Sequence, residues 1–309
     1  MYPIIRKRIL SDIVKLFEVQ APLVACKAQP GQFVIVRIDE TGERIPLTIA
    51  DFDAQTGVIT LIFQEVGKST TQMGLLEVGD CFANIAGPLG RPTEIANFGT
   101  VVMVGGGVGI APTFPITRSL KQAGNHVISI IGARNENLLF WQDRMERYSD
   151  EVIVCTDDGS AGRKALVTEP LKEILSSRND VARVWAIGPA IMMRFATKTT
   201  QPFNVHTIVS LNTIMIDGTG MCGGCRVVLN QGAKFVCVDG PEFDAHQVDW
   251  ENLLSRLSFY KAEEKVAMDH WNSHRCKLDP AISAAEKEAQ ELAKASSEGE
   301  PAGEAVIHA

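Results

Sequence analysis

The stretch Val101–Pro112 reads VVMVGGGVGIAP and combines an apolar run with four glycines and a proline. The run Val101–Val104 is typical of a strand that is buried on both faces. The glycines follow directly, and a helix can begin at Pro112 because the first residues of a helix have no partner for their N–H groups. The stretch therefore predicts a strand, a glycine-rich loop and a helix, which is the first unit of an α/β domain.

The glycine-rich loop is a candidate dinucleotide site made of Gly105, Gly106, Gly107, Val108 and Gly109. Glycines allow backbone N–H groups to approach phosphates, and the positive end of the following helix favours negative charge. The pattern is not a GxGxxG, so a tight loop without a ligand is the alternative. The position between a strand and a helix favours the dinucleotide site.

The residues after Pro112 repeat the alternation of strand and helix, which predicts a parallel sheet covered by helices over residues 98–210. The predicted helices are Pro112 to Gly124, Leu138–Tyr148, Glu169–Ser177 and Ala190–Thr197. Further strands are predicted at Val127–Ile131, Glu151–Val154, Val184–Ile187 and Val205–Val209.

Ligands of such sheets bind at the carboxyl ends of the strands, where further loops of this chain are predicted to meet. Asp157 and Asp158 follow one strand and either contact a ribose or cap a turn, whereas Gly188 and Pro189 follow another. Arg134 is a candidate for a 2′-phosphate, so that both NAD and NADP are possible. Cys155 either lines the nicotinamide pocket or is a small buried hydrophobe.

Residues 1–97 predict a small antiparallel β-barrel, because short β-branched segments alternate with turn residues. The predicted strands are Lys15–Val19, Phe33–Ile38, Leu47–Ala50, Gly57–Gln64 and Cys81–Ile85.

Two polar breaks in the barrel strands are candidate flavin contacts. A flavin needs a hydrogen-bond donor near N5, an apolar wall for its ring and polar partners for its pyrophosphate. Thr48 is the predicted catalytic donor, with Pro46 and Leu47 as the wall. The pyrophosphate partners are Gly67, Lys68, Ser69 and Thr70, for which a solvated turn is the alternative.

The stretch Asp217–Cys237, DGTGMCGGCRVVLNQGAKFVC, is the candidate metal centre. Its donors follow the pattern D-x4-C-x2-C-x11-C, namely Asp217, Cys222, Cys225 and Cys237. Plant-type ferredoxins bind a [2Fe–2S] cluster through C-x4-C-x2-C and a later cysteine, so the spacing predicts such a cluster with Asp217 at the first position. The alternatives are a zinc site that includes His246 or Cys276, and unligated structural cysteines. His206, His246 and His270 are otherwise interpreted as structural.

The composition limits the partners and the compartment. The net charge of −7 argues against a nucleic-acid partner, because no basic field is present to hold phosphates. No apolar run is long enough to span a membrane, and seven cysteines, three of them clustered, favour a reducing compartment. We therefore expect a cytoplasmic protein without a membrane span. A cluster domain is predicted over 211–270, with a helix over His246–His270, followed by a partly disordered extension over 271–309.

The order of barrel, GGG-x-G-x-A-P loop and cysteine cluster resembles the ferredoxin-NADP reductase superfamily. Within it, the chain is similar to the electron-transfer subunits of dihydroorotate dehydrogenase, and most similar to the small flavin subunits of electron-bifurcating NADH-dependent ferredoxin:NADP oxidoreductases, also called sulfide dehydrogenase-like. The motifs that carry the resemblance are Ile45–Asp51, Gly87–Gly90, Gly105–Pro112, Thr156–Ser160 and Asp217–Cys225 with Val238–Phe243.

The resemblance implies FAD in the barrel, NAD(H) in the second domain and a [2Fe–2S] cluster that passes electrons to a larger flavin and iron–sulfur subunit, and through it to ferredoxin. The superfamily's flavin motif is R-x-Y-S/T. In this chain Arg44 lies one residue further from Thr48, and Leu47 replaces the aromatic residue. Arg44 is thus a candidate partner of the FAD pyrophosphate. Asp217 replaces the first cysteine of the dihydroorotate-type subunits.

Three functions follow as hypotheses. The first is an electron-transfer subunit in which hydride passes between NAD(H) and FAD and single electrons pass through the cluster. The second is the electron-transfer subunit of an NAD-linked dihydroorotate dehydrogenase, against which Asp217 counts. The third is a non-catalytic, zinc-stapled module that senses NAD(H); such a protein would be colourless.

Overall fold

A computed structural model describes residues 1–273 of the 309-residue chain. Residues Met1–Phe259 form one compact unit, and a second unit begins at Tyr260. In the second unit, residues 261–273 are helical. The predicted extension over 271–309 lies almost entirely outside the described residues, as does Cys276. Within residues 1–273, no helix has the length and apolar character needed to cross a membrane.

The first sheet is a nearly closed antiparallel barrel of seven strands in the order β6-β1-β2-β5-β4-β3-β7. Phe17, Phe63 and Phe82 pack in its core, with the rings of Phe17 and Phe63 5.1 Å apart. Its strands and the two short helices between them are β1 (Tyr2–Ser11), β2 (Val14–Gln20), α1 (Pro22–Ala25), β3 (Phe33–Arg37), β4 (Ile45–Asp53), β5 (Val58–Gln64), α2 (Lys68–Gly74), β6 (Cys81–Phe82) and β7 (Asn84–Leu89).

The second sheet has seven strands in the order β11-β10-β9-β8-β12-β13-β16. Its strands are parallel except for β16, which pairs antiparallel with β13. The elements are β8 (Thr100–Gly106), α3 (Ile110–Gln122), β9 (His126–Ala133), α4 (Gln142–Glu146), β10 (Glu151–Thr156), β11 (Arg163–Lys164), α5 (Thr168–Ser177), β12 (Val181–Ile187), α6 (Ala190–Thr200), β13 (His206–Ser210), the hairpin β14 (Arg226–Leu229) and β15 (Gly232–Phe235), α7 (Val236–Asp239), β16 (Glu242–Asp244) and α8 (Trp250–Arg256).

The predicted fold class, a barrel followed by an α/β domain and a small iron–sulfur domain, is confirmed, with differences in individual elements. Strand β1 and the short strand β16 were not predicted. Helix α3 begins at Ile110 and not at Pro112. Pro112 fits in its first turn because the N–H groups there have no partner within the helix, so the missing N–H costs no hydrogen bond. The single helix predicted over His246–His270 is wrong: α8 ends at Arg256, and the next helical residues begin at 261.

Half-buried ion pairs and a backbone hydrogen bond join the barrel to the rest of the first unit. Asp51 of β4 accepts from Arg118 of α3 at 2.8 Å and from Arg144 of α4 at 2.5 Å. On another side, the backbone N–H of Arg91 donates to the carbonyl of Gly240 at 2.6 Å. The barrel is therefore held against both the parallel sheet and the segment that follows the cysteines.

Candidate functional site

The proposed flavin residues of β4 lie on opposite faces of the strand. Pro46 and Thr48 are half-buried on the outer face, whereas Leu47 and Ile49 point into the barrel core. Because side chains alternate along a strand, the side chain of Leu47 is not available as the apolar wall that the sequence predicts. Pro46 and Thr48 remain the candidate contacts, together with the backbone of Leu47.

Arg44 lies just before β4, and its Nε donates to the carbonyl of Ile216 at 2.5 Å. Ile216 directly precedes Asp217, so this arginine joins the barrel to the candidate metal centre. Because Nε is engaged, the two terminal nitrogens of the guanidinium group are the ones that would contact a flavin pyrophosphate.

The second group of proposed flavin residues forms the beginning of α2. The hydroxyl of Thr70 accepts from the N–H groups of Val66 and Gly67, at 3.0 and 3.1 Å, and Ser69 donates to the carboxylate of Glu43. Lys68 is half-buried. A Cβ built on Gly67 would meet no atom within 4 Å, so the backbone there is open to a ligand. Gly67 and Lys68 therefore keep more freedom to contact an anion than Ser69 and Thr70.

The glycine loop packs against the loop that follows β12. A Cβ on Gly109 would lie 2.3 Å from the carbonyl oxygen of Ile187, and one on Gly106 would lie 2.2 Å from the Sδ of Met192. A Cβ on Gly188 would lie 2.8 Å from the carbonyl oxygen of Gly106. The structure thus brings Gly105–Gly109 together with Gly188 and Pro189, as expected from the neighbouring positions of β8 and β12.

The loops after β9 and β10 are joined to each other by hydrogen bonds. The loop after β10 does not adjoin the glycine loop after β8, because β9 lies between these two strands. The N–H groups of Asp157 and Asp158 donate to the carbonyls of Ala133 and Arg134, at 3.1 and 3.2 Å. Asp158 accepts from the hydroxyl and the N–H of Ser160, which lowers the pKa of its carboxyl group. Asp158 therefore caps a turn, whereas the side chains of Asp157 and Arg134 are exposed to solvent.

Cys155 is fully buried, and burial raises the pKa of its thiol. The interpretation as a small buried hydrophobe is confirmed.

The four proposed metal donors come together as two pairs. The thiol of Cys222 donates to the Oδ1 of Asp217 at 3.3 Å, and the sulfurs of Cys225 and Cys237 lie 3.2 Å apart. The first pair is at the surface, with Cys222 exposed, and the second pair is buried. In residues 1–273 no three His, Cys, Asp or Glu side chains surround a single metal position. In a [2Fe–2S] core each iron takes two protein ligands, so the paired arrangement fits this group.

The carboxyl group of Asp217, the first proposed donor, is stabilised in its ionised form. Burial opposes ionisation, but hydrogen bonds from the Cys222 thiol and from Thr219 hold the pKa of its carboxyl group well below the usual range. Its Oδ2 also accepts from the N–H groups of Met221 and Cys222 at 3.0 and 3.1 Å. In the other pair, burial and the neighbouring Cys225 sulfur raise the pKa of the Cys237 thiol, so metal binding there would release protons.

The zinc alternative does not gain support from His246. Its Nε2 lies 3.3 Å from the carbonyl of Val205 and 3.4 Å from the hydroxyl of Thr200. Cys276, the other candidate ligand, is outside the described residues.

Glu242 on β16 is a residue whose role the sequence did not suggest. Its carboxyl group accepts from the hydroxyl of Thr93 at 2.6 Å and from the indole N–H of Trp185 at 3.4 Å. Burial raises the pKa of this carboxyl group to about 7. In the sequence Glu242 is one residue of the motif Val238–Phe243, which does not reveal its partners because they lie more than fifty positions away.

Comparisons with known proteins identify the domains in which the two candidate sites lie. Residues 103–198 match the oxidoreductase NAD-binding domain family, and residues 212–249 match the iron–sulfur cluster binding domain of dihydroorotate dehydrogenase B. The first match contains the glycine loop, and the second contains all four proposed metal donors.

Relatives of similar length extend this likeness to the barrel. The dihydroorotate dehydrogenase B (NAD(+)) electron transfer subunit homolog of Thermotoga maritima is 45% identical over 87% of this chain and 94% of its own length. The electron transfer subunit of this enzyme in Desulforamulus reducens is 35% identical over 76% of this chain and 92% of its own.

Solved structures agree with these relatives. A chain of an NADH-dependent reduced ferredoxin-NADP oxidoreductase, described in work on flavin-based electron bifurcation, superposes with a TM-score of 0.84. It is 43% identical, over 88% of this chain and 98% of that one. Phthalate dioxygenase reductase, at 17% identity and a TM-score of 0.55, shares the fold over 77% of this chain and 93% of that one. The chain therefore belongs to the family of dihydroorotate dehydrogenase B electron-transfer subunits and their homologues.

Proposed function

We propose that this chain is the flavin and iron–sulfur subunit of an electron-bifurcating NADH-dependent ferredoxin:NADP oxidoreductase. In this function, hydride passes between NAD(H) and FAD, and single electrons pass through a [2Fe–2S] cluster to a larger flavin and iron–sulfur subunit. Ferredoxin would be reached only through that subunit. The observation that carries the proposal is the arrangement of Asp217, Cys222, Cys225 and Cys237 as two pairs of donors.

The cofactors supply the redox chemistry: FAD exchanges two electrons with a nicotinamide and one at a time with an iron–sulfur cluster. The protein supplies binding and orientation. The hydroxyl of Thr48 lies on the outer face of β4, where it would donate a hydrogen bond to the flavin ring beside Pro46. Gly67 and Lys68 at the start of α2, with the free nitrogens of Arg44, would hold the flavin pyrophosphate.

The nicotinamide dinucleotide would bind across the glycine loop, where Gly107 has no atom within 4 Å of a built Cβ. Gly188 and Pro189 form the neighbouring wall, and Arg134 and Asp157 lie at the next loops along the sheet. The exposed guanidinium group of Arg134 would donate hydrogen bonds to a 2′-phosphate, so NADP(H) is the alternative to NAD(H). Hydride transfer requires no general acid or base, which agrees with a site built of glycines and one threonine.

The likeness to dihydroorotate dehydrogenase B subunits supports a second candidate, the electron-transfer subunit of an NAD-linked dihydroorotate dehydrogenase. The resemblance of Asp217 to the ligand of the bifurcating small subunits favours the first candidate. The complex isolated from its native source separates the two: reduction of NAD by dihydroorotate identifies the second, and NADPH-driven reduction of ferredoxin and NAD identifies the first.

All six cysteines of the described residues are free thiols, which suits the proposed cytoplasmic location.

Cofactor content tests the proposal directly, with two buried cysteines as a matched pair. The chain purified without oxygen is expected to contain FAD, iron and labile sulfide, and to show a paramagnetic signal after reduction by dithionite. Cys225→Ser should remove the iron and leave FAD bound, because it deletes one buried donor. Cys155→Ser should keep both, because Cys155 lies on β10, which β9, β8 and β12 separate from β13, the strand that precedes the donors. A wild-type chain without iron or FAD would contradict the proposal.

A further inference from the structure

Three arginines from separate parts of the chain converge on the loop that carries the metal donors. Arg44 precedes β4 of the barrel, Arg91 follows β7, and Arg256 lies in the last turn of α8. Each donates a side-chain hydrogen bond to a backbone carbonyl of the segment 216–238, which we call the ligand loop. We call these residues the arginine trio.

Each accepting carbonyl belongs to a residue next to a proposed metal donor. Arg44 Nε donates to Ile216, before Asp217, at 2.5 Å. Arg256 Nη2 donates to Gly224, before Cys225, at 3.1 Å.

The third accepting carbonyl belongs to the residue that follows a proposed donor in the chain, not to one that precedes it. Arg91 Nε donates to Val238, after Cys237, at 3.3 Å. Three of the four donors are thus anchored one residue away by a cation.

The charge of the trio opposes the charge of the group that the donors would hold. Two ferric ions, two sulfides, three thiolates and one carboxylate carry two net negative charges, and reduction adds a third. Nearby cations lower the energy of the reduced form more than that of the oxidised form. Net charge and hydrogen bonding around the ligands are the means by which a protein adjusts the potential of such a cluster.

We propose that the arginine trio holds the ligand loop in place and raises the reduction potential of the cluster. This inference rests on the proposed function, since it requires that the four donors bind a [2Fe–2S] group. The trio consists of positioning residues, because its members touch the loop carbonyls and not the donor atoms.

The geometry ranks the three members. Arg44 is half-buried and makes the shortest hydrogen bond, and Arg256 is half-buried with a longer one. Arg91 has 70% of its side chain exposed and also lies 3.6 Å from Asp239, which offsets part of its charge. Solvent screening weakens exposed charges, so the effect on the potential should decrease from Arg44 to Arg256 to Arg91.

A redox titration of the intact protein, followed by the paramagnetic signal of the reduced cluster, tests the proposal. Arg44→Gln should lower the ratio of reduced to oxidised cluster about tenfold at a fixed potential, which corresponds to about 59 mV for one electron. Arg256→Gln and Arg91→Gln should lower it by successively smaller factors. Arg44→Lys keeps the charge and should stay within about threefold of the wild type.

Arg8→Gln is the matched control. It removes the same charge from exposed Arg8 on β1, which makes no hydrogen bond to the ligand loop within residues 1–273, and it should leave the ratio unchanged. If Arg44→Gln does not retain iron, Arg256→Gln carries the test, because that residue lies outside the flavin barrel.

The outcomes separate this inference from the proposed function. A wild-type chain without a cluster refutes the proposed function. If the wild-type chain holds a cluster and its potential is the same in Arg44→Gln and Arg256→Gln, the role of the arginine trio is refuted and the proposed function is not. A shift in Arg44→Lys as large as that in Arg44→Gln, or an equal shift in Arg8→Gln, also overturns the proposed role of local charge.

Discussion

The glycine loop after β8 and the cysteine loop after β13 are both rich in glycine, but the structure needs the glycines for different reasons. Gly109 has a φ of −62°, which any residue adopts, but a Cβ there would lie 2.3 Å from a backbone oxygen and 2.7 Å from the Cα of Gly188. Gly218 has a φ of +78°, and the nearest atoms to a Cβ there would be side-chain carbons of Ile35 and Leu89, at 2.7 and 2.8 Å. Gly109 is needed because there is no room for a side chain, whereas Gly218 is needed because its backbone has a positive φ.

This difference teaches how each loop serves its site. The close approach of the β8 and β12 loops places backbone atoms directly against Gly109 in the proposed dinucleotide site, and backbone makes room for an added methyl group less easily than a side chain does. At Gly218 the cysteine loop contacts apolar side chains of the barrel and not its backbone. Substitution of Gly109 should therefore cost more stability than substitution of Gly218.

The largest effect is expected for Gly109→Ala. The added methyl group would collide with backbone of the β12 loop, and we expect a loss of about 3 kcal/mol in the free energy of unfolding. Urea unfolding followed by circular dichroism measures it. Gly107→Ala is the control: its φ of +56° is strained for alanine, but its Cβ meets no atom within 4 Å, so about 1 kcal/mol is expected. An equal cost for both variants would contradict the packing explanation.

A smaller effect is expected for Gly218→Ala. The left-handed conformation should cost about 1–2 kcal/mol, while the Ile35 and Leu89 side chains can shift to make room. Since Gly218 follows Asp217, the variant should also release iron to a chelator faster than the wild type. Gly232→Ala, at a φ of +115° in the first residue of β15 and with no atom within 4 Å of an added Cβ, should show the strain without the faster release. Equal release rates in the two variants would show that Gly218 does not support the ligand loop.

The two loops also differ in how far the sequence predicted them. The apolar run Val101–Val104 and the glycines after it were enough to predict the strand, the loop and the helix, because the signal is local. The spacing of Asp217, Cys222, Cys225 and Cys237 likewise predicted which side chains come together. Both predictions rest on residues that are close in the chain.

Contacts between distant residues were not predictable from the same patterns. The alternation along β4 places Leu47 in the barrel core, but no pattern showed which face of the strand the flavin residues would share. The hydrogen bonds of Arg44 to Ile216 and of Glu242 to Thr93 join residues 172 and 149 positions apart. Such contacts depend on how the barrel packs against the second sheet, and this packing cannot be predicted from the local sequence.

The smallest effect on stability, and the most specific effect on function, is expected for Gly67→Ala. Gly67 has a φ of −141°, and a Cβ there meets nothing within 4 Å, so neither reason found for the other two glycines applies. Alanine at this N-cap position should cost no more than about 0.5 kcal/mol in unfolding free energy. If the flavin pyrophosphate approaches this backbone, the methyl group should weaken FAD binding about tenfold, as measured by fluorescence titration of the flavin-free protein. Val66→Ala, which trims a side chain that is 73% exposed next to it, should bind FAD as the wild type does. Unchanged FAD affinity in Gly67→Ala would place the pyrophosphate elsewhere and would leave Gly67 as an ordinary helix cap.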